Sequence, residues 1–234
     1  MTPTPAQKRV IDCVLSIFET GRIPTSASYA TCTILKDGAG ISYGKHQCTD
    51  RAGSLDLVVK RYIQKKGQYA DSLGTFLPYL AQNRSCAEIP GGKYSAETQT
   101  LINLLKASGT DPVMQAAQDE IFDEVYFTPA LNHAANAGVT KALSLLVIYD
   151  TCIHSGPGGV ALIRNLFPEK SPAGGGNEEA WVRAYINARR AWLARNTNPL
   201  VQKTVYRMDA LLALVNAGNW DLVTPVRVQG VVIP

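Results

Sequence analysis

Two carboxylate side chains in the first part of the chain, Glu19 and Asp37, stand where they could act on a substrate as a pair. Glu19 lies at the end of a predicted helix, whose apolar face begins at Val10 and whose stop signal is Gly21. Asp37 begins the DGAG turn of a predicted hairpin. Such a pair can hydrolyse a glycosidic bond if one carboxylic acid protonates the leaving oxygen while the other carboxylate activates water or attacks. The alternative is that both are ordinary solvated carboxylates without a catalytic role, one at a helix end and one in a turn. Their positions alone favour this alternative.

The elements that must hold these side chains are mainly helical. Apolar residues recur at helical spacing through most of the chain, and a nearly all-apolar stretch from about Val139 to His154 predicts a central, buried helix. Between Thr31 and Cys48 the DGAG sequence separates two short apolar stretches, which predicts a hairpin or an extended loop. The tail beyond Trp220 has valines in near alternation and should be extended. We expect a mainly α fold with one small β-hairpin.

Length and charge limit the possible classes of protein. A chain of 234 residues can bury a sizeable core as one compact domain or two small lobes. The formal net charge is +4, with basic residues spread along the chain, which weakly favours an anionic surface or polymer but predicts no nucleic-acid partner. No apolar run is long enough for a membrane span, so we expect no membrane insertion. The first residues show no secretory signal, which leaves delivery by phage lysis, injection or a trimmed signal open.

The cysteines offer no metal site by spacing. The five are Cys13, Cys32, Cys48, Cys86 and Cys152. None forms a CxxC pair, so we expect neither a metal nor another cofactor. Cys32 and Cys48 lie symmetrically about Gly40, so a hairpin centred there would set them opposite each other, where an oxidising compartment could link them. Reduced, buried thiols are the other possibility.

Five segments spread over the chain resemble glycoside hydrolase family 46, the chitosanases, a branch of the lysozyme-like superfamily. They follow the family's order from about residue 6 to residue 225. The segments are SIFETG, KDGAGISYG, DEVYFTPALNHAANAGVTKALSLLVIYDTCIHSGPGG, AYINARRAW and YRMDALLALVNAGNWDLVTP. The resemblance implies a lysozyme-like fold in which residues 1–234 form a single glycoside hydrolase domain of two lobes with a cleft between them. It also implies a polysaccharide substrate; the oligomeric state is left open.

The resemblance assigns catalytic roles to three side chains. Glu19 matches the proton donor, and Asp37 matches the residue that activates the attacking water. Ser42 matches a hydroxyl residue, usually Thr, that helps to hold this water, and either hydroxyl can accept from and donate to a water.

Three further residues match a network behind the cleft. Asp150 corresponds to a buried acidic residue, and Arg189 and Arg207 correspond to arginines that pair with it. A carboxylate buried between two guanidinium groups must be hydrogen bonded, and such a network can fix the geometry and the pKa values of residues in front of it. A supporting role in catalysis and a purely structural ion cluster both remain open.

The chain departs from the family pattern beside the predicted site. Ala39 stands where the family has Arg. Ser54 stands where the family has an acidic residue that binds a sugar amine, while Asp56 lies two positions further on and would project in another direction. These departures put recognition of a cationic glucosamine unit in doubt.

The loop SYGKHQ adds side chains that could contact a substrate. Lys45 and His46 could bind carbonyl or carboxylate groups, or could form a solvated strand face. Tyr43 could stack on a sugar ring; Trp181 and Trp192 are weaker candidates, because their helical positions favour the core.

Together the residues and the resemblance predict an endo-acting glycoside hydrolase that cuts β-1,4 bonds of an amino-sugar polymer, and the resemblance implies that it does so with inversion. The basic net charge, Ser54, Lys45 and His46 favour bacterial peptidoglycan as the substrate, as for an endolysin or antibacterial effector acting in the periplasm, the cell wall or the medium. Chitosan, the family's usual substrate, is the alternative. A non-catalytic saccharide-binding module is the alternative of another class, against which the retention of both carboxylates argues.

Overall fold

The computed structural model describes residues 1–34, 40–81 and 86–234, so Asp37 and Ala39 lie outside the described residues. The chain divides into two compact units, of which the first contains Met1–Ile23 and Glu124–Pro234 and the second contains Pro24–Asp123. No helix in the described parts of the chain combines the length and the hydropathy that a membrane span requires.

Helices dominate both units, as predicted. In chain order the elements are α1 (Pro5–Thr20), β1 (Cys32–Ile34), β2 (Ile41–Tyr43), β3 (Cys48–Thr49), α2 (Ser54–Gln64), α3 (Ala70–Gly74), α4 (Leu77–Leu80), α5 (Ala96–Ser108), α6 (Pro112–Phe122), α7 (Thr128–Ala137), α8 (Ala142–Ser155), α9 (Gly158–Arg164), α10 (Glu178–Ala194), α11 (Pro199–Gln202), α12 (Tyr206–Asn216), β4 (Val226–Val228) and β5 (Val231–Ile233). The first unit holds α1, α7–α12 and the β4–β5 pair; the second holds β1–β3 and α2–α6.

Helix α1 is defined at both ends by local chemistry. Thr4 caps it with a capping box: its hydroxyl accepts from the Gln7 amide at 3.2 Å, and the Gln7 side chain accepts from the Thr4 amide at 2.9 Å. At the other end Gly21 adopts φ 74°, and its N–H bonds to the Ile17 carbonyl. The predicted helix end just after Glu19 is therefore confirmed.

Helix α8 is the centre of the first unit. Every residue from Ala142 to Cys152 is buried, which confirms the central helix predicted from the apolar stretch. Its N-terminus is held by the Glu178 carboxylate of α10, which accepts from the amides of Thr140 and Lys141 at 3.0 and 2.9 Å and from the Ser144 hydroxyl at 2.6 Å. A carboxylate at this position satisfies free N–H groups and complements the helix dipole.

The small sheet separates the two cysteines that the sequence places symmetrically. Strands β1, β2 and β3 are antiparallel neighbours, with Cys32 opposite Tyr43 and Tyr43 opposite Cys48. Cys32 and Cys48 are therefore two strand spacings apart, roughly 10 Å, which is too far for a disulfide. The expectation that they face each other is wrong, because a third strand begins at Cys48. Both are free, buried thiols, and burial raises the pKa of each to about 12.

The C-terminal tail forms a second hairpin instead of a single extended segment. Strands β4 and β5 pair with Val228 opposite Val231, and the two residues between them, Gln229 and Gly230, have φ values of 50° and 81°. Positive φ at both positions is typical of a type I′ turn. Gln-Gly is a weak turn signal compared with Asn-Gly or Asp-Gly, so the valine alternation alone did not reveal the reversal. The hairpin packs against α1.

Candidate active site

Glu19 lies in the last turn of α1, and its side chain is 39% exposed. The preceding residue, Phe18, is buried, and its carbonyl accepts a hydrogen bond of 2.6 Å from the Tyr206 hydroxyl. Tyr206 also packs edge-on against the Phe18 ring. The end of α1 is thus tied to the start of α12, so that the acid is accessible while its backbone is restrained. Sequence reasoning missed Tyr206 because nothing local connects it with Phe18.

The guanidinium of Arg207 connects Glu19 to the buried interior of the first unit. Arg207 donates from Nη1 to Oε1 of Glu19 at 2.7 Å, and from Nε and Nη2 to Oδ1 of Asp150 at 2.9 and 2.6 Å. The Arg207 residue is 2% exposed and Asp150 is fully buried. The planar guanidinium fixes the direction of each bond, so the position of the Glu19 carboxylate depends on that of Asp150.

Arg189 completes the cluster from α10. It donates from Nη1 to Oδ2 of Asp150 and from Nη2 to the Asp150 carbonyl, and the residue is fully buried. Its Nε has no hydrogen-bond partner among the described residues. Two carboxylates therefore balance two guanidinium groups. Removing one of the fully buried members, Asp150 or Arg189, leaves an uncompensated buried charge, which typically costs about 3–5 kcal/mol.

The cluster determines the charge state of its members. Burial alone would raise the pKa of Asp150, but the charges of Arg207 and Arg189 outweigh it and lower that pKa to about 2. Burial would lower the pKa of Arg207, but the charges of Asp150 and Glu19 raise it. Burial lowers the pKa of His154, at the end of α8, to about 4, and the positive charges of Arg207 and Arg189 add to this effect. His154 is therefore neutral at pH 7.

In the second unit, strand β2 carries Ser42 beside Tyr43. Ser42 is 5% exposed and lies opposite Thr33 and Thr49 in the sheet. Tyr43 is fully buried, and its hydroxyl is 3.2 Å from that of Ser108. The expectation that Tyr43 stacks on a sugar ring is wrong, since its ring is completely buried.

The start of β2 is held by an acid that the sequence did not single out. Asp50 is fully buried, and its Oδ1 accepts from the amides of Ile41 and Arg51 at 3.1 and 2.8 Å. Its carboxylate lies so close to Gly40, which has φ 77°, that a Cβ there would be 2.1 Å from Oδ1. Asp50 and Gly40 thus fix the backbone just before Ser42. No spacing motif marks this pair.

Lys45 and His46 share one acidic partner. Asp119 of α6 accepts from Lys45 Nζ at 3.0 Å and lies 3.1 Å from His46 Nε2, while the Tyr29 hydroxyl donates to its other oxygen at 2.7 Å. The His46 ring also stacks on Phe122, with 3.8 Å between ring centroids. The side chains of Lys45 and His46 are only 13% and 12% exposed. The positive charge that these residues add to the loop is therefore offset within the unit.

Ser54 and Asp56 open helix α2. The Ser54 hydroxyl accepts from the Thr49 amide at 2.9 Å and lies 3.4 Å from the Thr49 carbonyl, so it ties α2 to β3. Asp56 is 6% exposed and bonds through Oδ2 to Lys60 at 2.6 Å, whereas its Oδ1 has no hydrogen-bond partner among the described residues.

The structure brings Glu19, Asp150, Arg189 and Arg207 into direct contact, while Asp37 lies outside the described residues. The described residues hold no group of three acidic, His or Cys side chains placed to bind a metal ion. Trp181 is 2% exposed, in agreement with a core position.

Comparison with known proteins gives one consistent result. The family model of glycosyl hydrolase family 46 matches residues 13–226. A chitosanase of Bacillus subtilis (strain 168) is 30% identical over 95% of this chain and 82% of its own length, and a chitosanase of Streptomyces sp. (strain N174) is 26% identical over 95% and 79%.

Solved structures extend the likeness to the fold. Native chitosanase from Bacillus subtilis MY002 matches with a TM-score of 0.82 and 26% identity over the whole of both chains. The family 46 chitosanase of Gynuella sunshinyii in complex with chitotetraose matches with a TM-score of 0.83 and 27% identity, covering 99% of this chain and 98% of that one. The predicted mainly helical, lysozyme-like fold is confirmed.

Proposed function

The chain belongs to glycosyl hydrolase family 46, and on this premise we propose that it hydrolyses β-1,4 bonds of chitosan with inversion. Glu19 acts as the general acid and Asp37 as the general base. The observation that carries the role of Glu19 is its hydrogen bond to Arg207, which Asp150 and Arg189 hold from the interior. We further propose that both units belong to one glycoside hydrolase domain, which the span of the family match over residues 13–226 supports.

In this mechanism, Glu19 transfers its proton to the glycosidic oxygen as the bond to the anomeric carbon breaks. A water molecule attacks that carbon from the opposite face and gives its proton to Asp37. The Ser42 hydroxyl binds the same water. Arg207 holds one oxygen of Glu19, which keeps the carboxyl group aligned through the turnover. Inversion requires the two carboxyl groups to be about 6.5–9.5 Å apart, so that the water fits between Asp37 and the sugar.

The described contacts shift the choice of substrate toward chitosan. The preference for an anionic polymer depended partly on Lys45 and His46, but both are bound to Asp119 and mostly buried. The relatives with the highest similarity reported above are chitosanases.

Peptidoglycan remains the second candidate, because one observation favours it. The Ser54 side chain is neutral and is engaged with Thr49, so it offers no charge to a sugar ammonium group. Peptidoglycan amines are acetylated and need no such partner. Both polymers lie outside the cytoplasm, and we propose that the enzyme acts there, by whichever route it is delivered.

The substrate is tested by measuring the release of reducing ends from highly deacetylated chitosan and from purified sacculi. Glu19→Gln serves as the blank, and Glu179→Gln, an exposed acid in the first turn of α10, is the matched control. We expect wild type and the control to cut chitosan and the blank to leave it intact. Cleavage of sacculi without cleavage of chitosan would overturn the proposed substrate but would leave the proposed acid–base mechanism in place. Equal activity of the Glu19→Gln variant would overturn the assigned acid.

A further inference from the structure

The first unit contains a cavity that takes no part in the cluster around Glu19. It lies among α7, α8, α9 and α10 and has a volume of about 230 Å³. Ile148, Val160 and Trp181 form its apolar wall, and Asn136, Arg164 and Ser171 contribute polar groups. Its lining contains none of Glu19, Asp150, Arg189 and Arg207, so a ligand here would not compete with the proposed chemistry.

One wall of the cavity is formed by the ring of Trp181. Trp181 is 2% exposed, and its indole Nε1–H has no hydrogen-bond partner among the described residues. Its ring is fixed by packing against Phe167 and Tyr185. The neighbouring Tyr185, by contrast, donates to the Thr151 hydroxyl at 3.1 Å. The Nε1 atom is itself enclosed by this packing, so the ring offers an apolar surface to the cavity and its N–H signal can report on that wall.

A second wall carries a positive charge that no acid in the described part of the chain pairs with. Arg164 donates from Nη1 to the Phe167 carbonyl at 2.8 Å and from Nη2 to the Glu169 carbonyl at 2.9 Å, and its guanidinium lies 4.7 Å from the centre of the Phe167 ring. These contacts orient the guanidinium but leave its charge in place. Arg164 forms no ion pair with a described carboxylate, and no Asp or Glu lines the cavity.

We propose that this cavity binds a small carboxylate that carries a compact apolar or aromatic body. The carboxylate accepts hydrogen bonds from Arg164, while the body packs against Ile148, Val160 and the ring of Trp181. Asn136 and Ser171 can add hydrogen bonds at the entrance. A ligand with an ammonium group finds no carboxylate partner in the lining, which distinguishes this site from one for an amino sugar.

The probe for this site is benzoate, with benzamide and benzylamine as ligands of similar shape that are neutral and cationic. The indole N–H signals of the ¹⁵N-labelled full chain report binding, and Trp181→Phe identifies the Trp181 signal by its loss. Benzoate is expected to shift that signal with saturation and a Kd of about 1 mM, as is typical of so small a ligand. Benzamide and benzylamine should bind at least about tenfold more weakly, since they lack the negative charge.

Arg164→Gln is the decisive variant, and Arg227→Gln, on the exposed face of β4, is its matched control. Arg164→Gln should weaken benzoate binding at least about tenfold and leave hydrolysis unchanged, while the control keeps wild-type affinity. Circular dichroism and thermal unfolding check that both variants fold. The proposal is overturned if benzoate gives no saturating shift up to about 20 mM, if benzylamine binds as tightly, or if folded Arg164→Gln binds as wild type does. If Arg164→Gln does not fold, the comparison of benzoate with benzamide and benzylamine on wild type decides alone.

Discussion

The guanidinium of Arg207 lies 2.7 Å from the Glu19 carboxylate, although Arg207 is only 2% exposed and the Glu19 side chain is 39% exposed. One end of this ion pair is therefore solvent-accessible and the other end is anchored in the core, where Asp150 and Arg189 complete it. Buried residues of the first unit therefore determine the position of the Glu19 carboxyl group, the proposed general acid.

Loss of either proposed catalytic carboxyl group should stop turnover without unfolding the chain. Glu19→Gln and Asp37→Asn are each expected to lower kcat on the cleaved polymer by at least about a hundredfold, because a general acid or base is removed while size is kept. Steady-state rates and far-UV circular dichroism measure the two effects, with Glu179→Gln as the control. A variant that retains more than about a tenth of the wild-type rate contradicts its assigned role.

Asp150 should make stability fall in acid. Its folded pKa, about 2, is lower than its unfolded value of 3.8, so it contributes stability above pH 3.8 that is lost as the pH falls toward 2. Asp150→Asn should be destabilised by about 3–5 kcal/mol at pH 7, since two buried guanidinium groups lose their counter-charge. Urea unfolding at neutral and acid pH measures this. The difference in the free energy of unfolding between wild type and Asp150→Asn should become smaller in acid. If this difference stays constant, Asp150 is not the titrating group.

His154 should stay neutral until the solution is distinctly acidic. Burial and the charges of Arg207 and Arg189 lower its pKa to about 4. A ¹H–¹³C NMR titration of the three histidines should therefore show one ring with a midpoint near 4, and His154→Gln should remove that signal. A midpoint above about 6 for the assigned ring would mean that its surroundings are more exposed than the structure shows.

The first products should reveal the stereochemistry. An inverting mechanism converts a β-linked chain into α-anomeric reducing ends, because water attacks from the face opposite the leaving group. Proton NMR spectra recorded early in the digestion, before mutarotation, distinguish the two anomers. An initial β anomer would exclude the pairing of Glu19 as acid with Asp37 as base.

Restoring the family's acid at residue 54 should improve recognition of chitosan. Ser54→Asp can keep the hydrogen bond to the Thr49 amide and lies in the first turn of α2, where a negative charge is favourable. One added ion pair with a sugar ammonium group should raise kcat/KM on deacetylated chitosan by about tenfold, mainly through KM. Ser54→Asn is the control, because Asn has nearly the shape of Asp but carries no charge. Equal gains in both variants, or none in Ser54→Asp, would show that this position does not meet an amine.

Local features of the chain were predictable from sequence because they depend on residues a few positions apart. The apolar face that begins at Val10 and the stop at Gly21 placed Glu19 at the end of α1. The apolar run around Leu145 identified α8 as central, since a helix that is apolar on all sides must be buried. The five family segments likewise predicted the family, which the comparisons confirm.

Only the tertiary structure decided which distant side chains meet. Arg207 is 188 positions from Glu19, and Lys45 is 74 positions from Asp119. No periodic pattern in the sequence links the two residues of either pair. The loop that was expected to present Lys45 and His46 to a substrate instead bonds to Asp119 of α6, and Tyr43 is buried against Ser108. Such contacts follow from how whole elements pack, because burial and charge pairing are satisfied over the entire unit and not within one stretch of chain.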